Sequence, residues 1–115
     1  MKLGLIDEFD AAHFLPGYQG KCANLHGHTY KVEVVIEGQV SEDGMVLDFY
    51  RLKELLKAAL SDLDHGCLNQ IIPNPTAEKI ALLIRARLEK ELTDKPIKVV
   101  SLKLWEGRNK WVMAD

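Results

Sequence analysis

The chain has 115 residues, a length that fits one domain over 1–115 and can bury a real but modest core. Hydrophobic residues make up 47% and charged residues 28%, an ordinary globular balance, and a formal net charge of -2 argues against a nucleic-acid partner, which needs a basic face. No apolar run approaches the about 18 residues of a membrane span, and MKLGLIDEFD carries acids where a signal peptide has its apolar segment, so a cytoplasmic location without membrane contact is expected.

Residues 2–13 read as a strand, because Leu3, Leu5, Phe9, Ala11 and His13 share one parity, with a charged break at Asp7. Residues 14–24 hold Pro16, Gly17 and Gly20 and read as a loop. Residues 25–37 form a second strand, in which Tyr30, Val32, Val34 and Ile36 alternate with Lys31, Glu33 and Glu37. Gly38 to Gly44 turns the chain, and Met45 to Leu47 reads as a short extended piece. Asp48 can cap a helix whose stripe is Leu52, Leu55, Leu56, Ala59, Leu60 and Leu63, ending between Asp62 and Gly66. The two prolines of CLNQIIPNP exclude a regular helix there. Thr76 is the next N-cap, with Glu78 in the favourable first turn, for a helix built on Ala77, Ile80, Ala81, Ile84 and Leu88 and ending near Thr93. Residues 97–105 form a strand in which Val100, Leu102, Leu104 and Glu106 share the inward parity, Gly107 to Asn109 turns, and residues 110–113 return as a short strand. The order β-β-α-α-β-β implies an α+β fold: a four-stranded antiparallel sheet with both amphipathic helices on one face.

The stretch CANLHGH, residues 22–28, holds one of two cysteines and two of four histidines. In a strand, His26 and His28 project to one side, and pairing of the first two strands as a hairpin would bring His13 beside them. Three converging imidazoles are the ligand set of a catalytic zinc with an open position, although HGH can equally be a polar turn. In a reducing compartment Cys22 and Cys67 are thiols. Cys22, beside Lys21 in a polar loop, suits a thiolate, or else a small buried residue; Cys67 reads as packing. Asp64 precedes His65 where the first helix ends. A carboxylate on the imidazole would make His65 a proton shuttle, and a plain helix C-cap is the other reading. Glu106 continues an apolar face and would need a ligand with paired N–H donors if buried; otherwise it is a surface glutamate before a turn.

Taken together, DAAHFL, CANLHGHTYKVEV, VLDF, LDHGCLN, NPTAEKIA and Glu106 resemble the 6-pyruvoyl-tetrahydropterin synthase superfamily, in family order and over nearly the whole chain. The spacing C-x-x-x-H-G-H is similar to the branch that forms 6-carboxytetrahydropterin in queuosine synthesis; the pyruvoyl-forming branch has two more residues in that gap. The resemblance implies that His13, His26 and His28 bind Zn2+, that Cys22 is the catalytic cysteine, and that Asp64 and His65 are the acid–base pair. It further implies that Glu106 anchors the pterin and that Thr76 lines its pocket. The substrate implied is a small molecule, 7,8-dihydroneopterin triphosphate. Lys21, Lys31, Arg108 and Lys110 are either contacts for its triphosphate or solvated surface charge. The implied architecture is the tunnelling fold, in which sheets join into a barrel. The implied assembly is a homo-oligomer of stacked trimers, a hexamer or a related form, with active sites between subunits. A pyruvoyl-forming enzyme and a non-catalytic zinc-binding oligomer are the alternatives.

Overall fold

A computed structural model describes residues 1–115. Strand β1 (Lys2–His13) pairs antiparallel with β2 (His26–Gly38) along the whole of β1, from Lys2 opposite Glu37 to His13 opposite His26. Helix α1 (Phe49–Leu60) starts where the Asp48 carboxylate accepts from the Tyr50 N–H at 2.8 Å. After the short β3 (Gly66–Cys67), helix α2 (Ala77–Glu91) starts where the Thr76 hydroxyl accepts from the Lys79 N–H at 3.3 Å. Strands β4 (Ile97–Glu106) and β5 (Trp111–Ala114) complete a five-stranded sheet ordered β3-β1-β2-β4-β5.

Strand alternation turns Tyr30, Val32, Val34 and Ile36 of β2, with Leu102 and Leu104 of β4, onto the helix-covered face, where all are fully buried. Leu52 and Leu56 of α1 and Ile80, Ile84 and Leu88 of α2 close the core from above. Each such side chain contributes roughly 1.5–3 kcal/mol by leaving water. The other parity of these strands stays partly or fully exposed, so the sheet has one open face. No helix is long and apolar enough to cross a membrane.

The structure departs from the sequence reading in three places. Gly66–Cys67 adds a fifth strand, parallel to Ala11–Ala12, which no periodicity could reveal in two residues. Met45–Leu47 is not extended: Ser41 and Met45 close a turn through the Ser41 N–H to Met45 carbonyl bond of 3.0 Å. On β4 the inward residue is Val99, 5% exposed, rather than Val100, because the β2–β4 register shifts between Val35 and Ile36. This bulge places the residue beyond it on the opposite face. The Arg85 guanidinium of α2 meets the freed carbonyls there, donating to Val99 O at 2.9 Å and to Ala114 O at 2.5 Å.

Two side-chain links fix the end of the hairpin. Asn69 imitates a strand partner, accepting from the Phe14 N–H at 3.0 Å and donating to the Phe14 carbonyl at 2.8 Å. The loop beyond is folded back by the Leu15 N–H, which donates to the Cys22 carbonyl at 2.8 Å. Cys22 itself lies on a single 3-10 turn, Lys21–Ala23.

Candidate functional site

The β1–β2 register sets His13 opposite His26 and Ala11 opposite His28, so three imidazoles meet at the end of the hairpin. Their ligating nitrogens lie within 4.8 Å of one another. His13 Nδ1 donates to the Pro75 carbonyl at 2.8 Å and His26 Nδ1 to the Asn24 carbonyl at 2.7 Å. A carbonyl only accepts, so both rings carry their proton on Nδ1 when neutral and present Nε2 as a lone pair. The two Nε2 atoms stand 3.1 Å apart. As two acceptors they repel, and a shared cation resolves the repulsion. Nitrogens about 2.0–2.1 Å from a tetrahedral metal are about 3.3 Å apart, close to this spacing. His28 Nε2 is buried without a hydrogen-bond partner, a third ring nitrogen left free to meet the same cation. Burial holds the His28 pKa below its ordinary value, against the raising effect of Glu106, which favours the neutral, ligating form. The donor set therefore fits a divalent metal held by His13, His26 and His28.

Glu106 of β4 stands directly opposite Tyr30 of β2, with its carboxylate 3.5 Å from His28 Nε2 and 3.9 Å from His13 Nε2. Below it, Tyr30 is fully buried, stacked on Phe9 with its hydroxyl 3.4 Å from His13 Nδ1. Burial, then the Glu106 charge, pushes the Tyr30 phenol well above its usual range, so it stays neutral.

A cleft of about 400 Å³ opens beside the histidines. His13, Cys22, Thr76 and Glu106 all line it, four residues singled out from sequence. Tyr18 and Trp111, which carried no comparable sequence signal, also line it, as does Lys110, one of the basic residues considered for the triphosphate. The other basic residues considered for the triphosphate do not line it. Lys31 instead sits over the Trp105 ring at 3.9 Å, an ordinary surface cation–π contact.

Asp64 and His65 do pair: His65 Nδ1 is 2.9 Å from Asp64 Oδ1. Adjacent side chains meet because His65 adopts a left-handed backbone with φ 60. That conformation costs about 1–2 kcal/mol for a residue other than glycine. The main chain of Asp10 holds it, accepting from the His65 N–H at 2.6 Å and donating to Asp64 Oδ1 at 3.0 Å. This donation from Asp10 is the first cause holding the Asp64 carboxyl below its ordinary pKa, with His65 adding to it. Thr29 donates its hydroxyl to Asp10 Oδ1 at 2.5 Å. Sequence reasoning passed over Asp10 and Thr29. The signal was available, since an antiparallel register that sets His13 against His26 sets Asp10 against Thr29. The His65 ring is 78% exposed and borders a second cleft, of about 800 Å³, with Asp10, His28 and Thr29. Neither cleft contains both Cys22 and His65.

Comparison with known proteins gives a consistent family. Residues 3–115 match the profile of the 6-pyruvoyl tetrahydropterin synthase family. An Archaeoglobus fulgidus protein, provisionally named a 6-carboxy-5,6,7,8-tetrahydropterin synthase, is 41% identical over 96% of this chain and 92% of its own. The 6-carboxy-5,6,7,8-tetrahydropterin synthase of Haemophilus influenzae is 38% identical over 85% of this chain and 86% of its own. The dihydroneopterin monophosphate aldolase of Pyrococcus furiosus is 44% identical over 86% of this chain and 83% of its own. Among solved structures, Caenorhabditis elegans 6-pyruvoyl tetrahydropterin synthase superposes with a TM-score of 0.86 at 25% identity, covering 99% of this chain and 94% of that one.

Proposed function

The chain belongs to the 6-pyruvoyl tetrahydropterin synthase family, and on that premise we propose that it is a zinc-dependent 6-carboxy-5,6,7,8-tetrahydropterin synthase. The reaction is conversion of 7,8-dihydroneopterin triphosphate and water to 6-carboxytetrahydropterin, acetaldehyde and triphosphate, a step of queuosine synthesis in the cytoplasm. One domain, 1–115, carries the site. The observation that carries the reading is the sharing of one cleft by Cys22, His13, Thr76 and Glu106, with Cys22 in the C-x-x-x-H-G-H spacing.

His13 and His26, through Nε2, and His28 would together hold zinc. When bound, zinc supplies a Lewis acid that polarises the substrate's side-chain oxygens. Glu106 accepts hydrogen bonds from the pterin amino and ring N–H groups, and Thr76 lines the ring pocket; together they hold the side chain at the reacting groups. Cys22, as thiolate, takes a proton from a side-chain carbon. His65, oriented by Asp64 through Nδ1, exchanges a proton at Nε2 on the other face. The two clefts of one chain separate Cys22 from His65, which supports a homo-oligomer in which a second copy supplies the pair.

The Pyrococcus relative favours a second reading, cleavage of the side chain of dihydroneopterin monophosphate by the same residues. Both are tested at once by incubating zinc-loaded protein separately with the triphosphate and the monophosphate and identifying products by mass spectrometry, with Cys22→Ala alongside. 6-Carboxytetrahydropterin and acetaldehyde from the triphosphate, lost in the variant, are expected. Side-chain cleavage of the monophosphate alone would replace this reading with the aldolase one. A pyruvoyl product would move the activity to the sister branch.

A further inference from the structure

Asp10 has no role in the chemistry above, yet it touches Asp64, His65 and Thr29. Its N–H donates to Asp64 Oδ1 at 3.0 Å, and its carbonyl accepts from the His65 N–H at 2.6 Å. Its carboxylate accepts from the Thr29 hydroxyl at 2.5 Å. The carboxylate oxygens of Asp10 and Asp64 and a ring nitrogen of His65 all lie within 4.8 Å of one another.

A second carboxylate so close to an imidazole is a rival acceptor. The His65 Nδ1–H can be given to Asp64 or, after a ring rotation, to Asp10. Two features decide between them. The Asp10 N–H pins Asp64 Oδ1 at the His65 Nδ1, and the Thr29 hydroxyl engages the Asp10 carboxylate across the strand pair. The Thr29 bond holds the Asp10 carboxylate in the position in which Asp64, and not Asp10, is paired with the His65 ring. We propose that Thr29 is a positioning residue: by holding the Asp10 carboxylate it keeps Asp10 from taking the ring proton, so that His65 stays committed to Asp64 through Nδ1 and Nε2 is left as the free ring nitrogen. Its consequence for turnover rests on the proposed acid–base role of His65; the placement itself does not.

The test has two independent readouts. In zinc-loaded protein labelled with 15N-histidine, the His65 ring signals are identified by their loss in His65→Ala. Wild type is expected to show the Nδ1–H form. In Thr29→Val, which releases the Asp10 carboxylate, a second ring form is expected to appear; Thr29→Ser, which keeps the hydroxyl, and Thr29→Val combined with Asp10→Ala, which removes the rival, are each expected to restore the single form. Thr29→Val is expected to lower kcat about tenfold with KM changed less than about twofold, because ring orientation matters only in the proton transfer. Unchanged His65 signals in Thr29→Val would overturn the proposal, and so would a second form that persists when Asp10→Ala is added. If the double variant does not fold, Thr29→Val and Thr29→Ser decide it. Altered signals with full activity in His65→Ala would uphold the positioning and overturn the acid–base reading instead.

Discussion

His13 and His26 face each other with their Nε2 atoms 3.1 Å apart while each Nδ1 is committed to a main-chain carbonyl. That geometry fixes two lone pairs on one point before any ligand arrives, which is how a protein preorganises a metal. The expected outcome is about one zinc per chain and a metal-loaded protein that melts higher than the chelated one. His26→Ala should bring zinc well below one per chain in competition with a chromophoric chelator. Unaltered zinc content in that variant would remove His26 from the ligand set.

The His28 shift has a sign that can be checked without metal. Burial keeps its pKa below the ordinary 6.5, so between the two values the unfolded chain binds more protons than the folded one. Its contribution to stability is thus complete above 6.5 and is lost as pH falls below it. Asp62 and Asp64, held below an ordinary 3.8, lose theirs only in stronger acid. Chelated protein should melt lower at pH 5.5 than at pH 7.5, and His28→Gln should narrow that difference. An equal gap in the variant would assign the acid sensitivity elsewhere.

Cys22 and His65 border different clefts, so the proposed chemistry calls for two copies. Cys22→Ala and His65→Ala, each inactive alone by about a hundredfold or more, should complement when unfolded and refolded together. Random mixing restores about a quarter of the sites, since each needs one intact group from each of two chains. No recovery in the mixture would mean that one chain supplies both groups.

Periodicity made most of the fold legible. The β1 span and the stripes of both helices follow from alternation and from the i, i+3, i+4 spacing, because burial of one face dictates each. Parity failed at Val99, where a bulge resets which residue faces inward, and a bulge leaves no mark on an apolar run such as KVVSL. The histidine cluster was legible because one register relates His13 to His26. The Asp64–His65 contact was not, since it depends on a positive φ at a residue other than glycine and on main-chain bonds from Asp10, 54 residues before Asp64.

Arg85 donates to the carbonyls of Val99, Val100 and Ala114, joining α2 to the bulge and to the edge strand. Its removal leaves these carbonyls without their charged donor. Arg85→Ala is expected to cost about 1.5–3 kcal/mol in denaturant unfolding, the range for hydrogen bonds to a charged group. Arg85→Lys should recover only part, as an ammonium cannot span the same fork. A loss under about 0.5 kcal/mol would show that water replaces the guanidinium.

The proposed role of Glu106 is to bind substrate and not the metal. Its carboxylate is near His28 and His13, yet at 3.5 and 3.9 Å it makes no hydrogen bond to either. In the proposed role it accepts from two pterin N–H groups, and Glu106→Gln turns one acceptor into a donor that faces a donor. A charged hydrogen bond lost at that point is worth about 2 kcal/mol, or roughly thirtyfold in KM. Removing the charge withdraws both the effect that raises the His28 pKa and an attraction for the cation, two opposed effects, so zinc content is expected to stay near that of the wild type. KM rising with zinc content constant is therefore the expected pattern in steady-state kinetics paired with metal analysis. Loss of zinc with KM unchanged would instead make Glu106 part of the metal site and leave the pterin without its anchor.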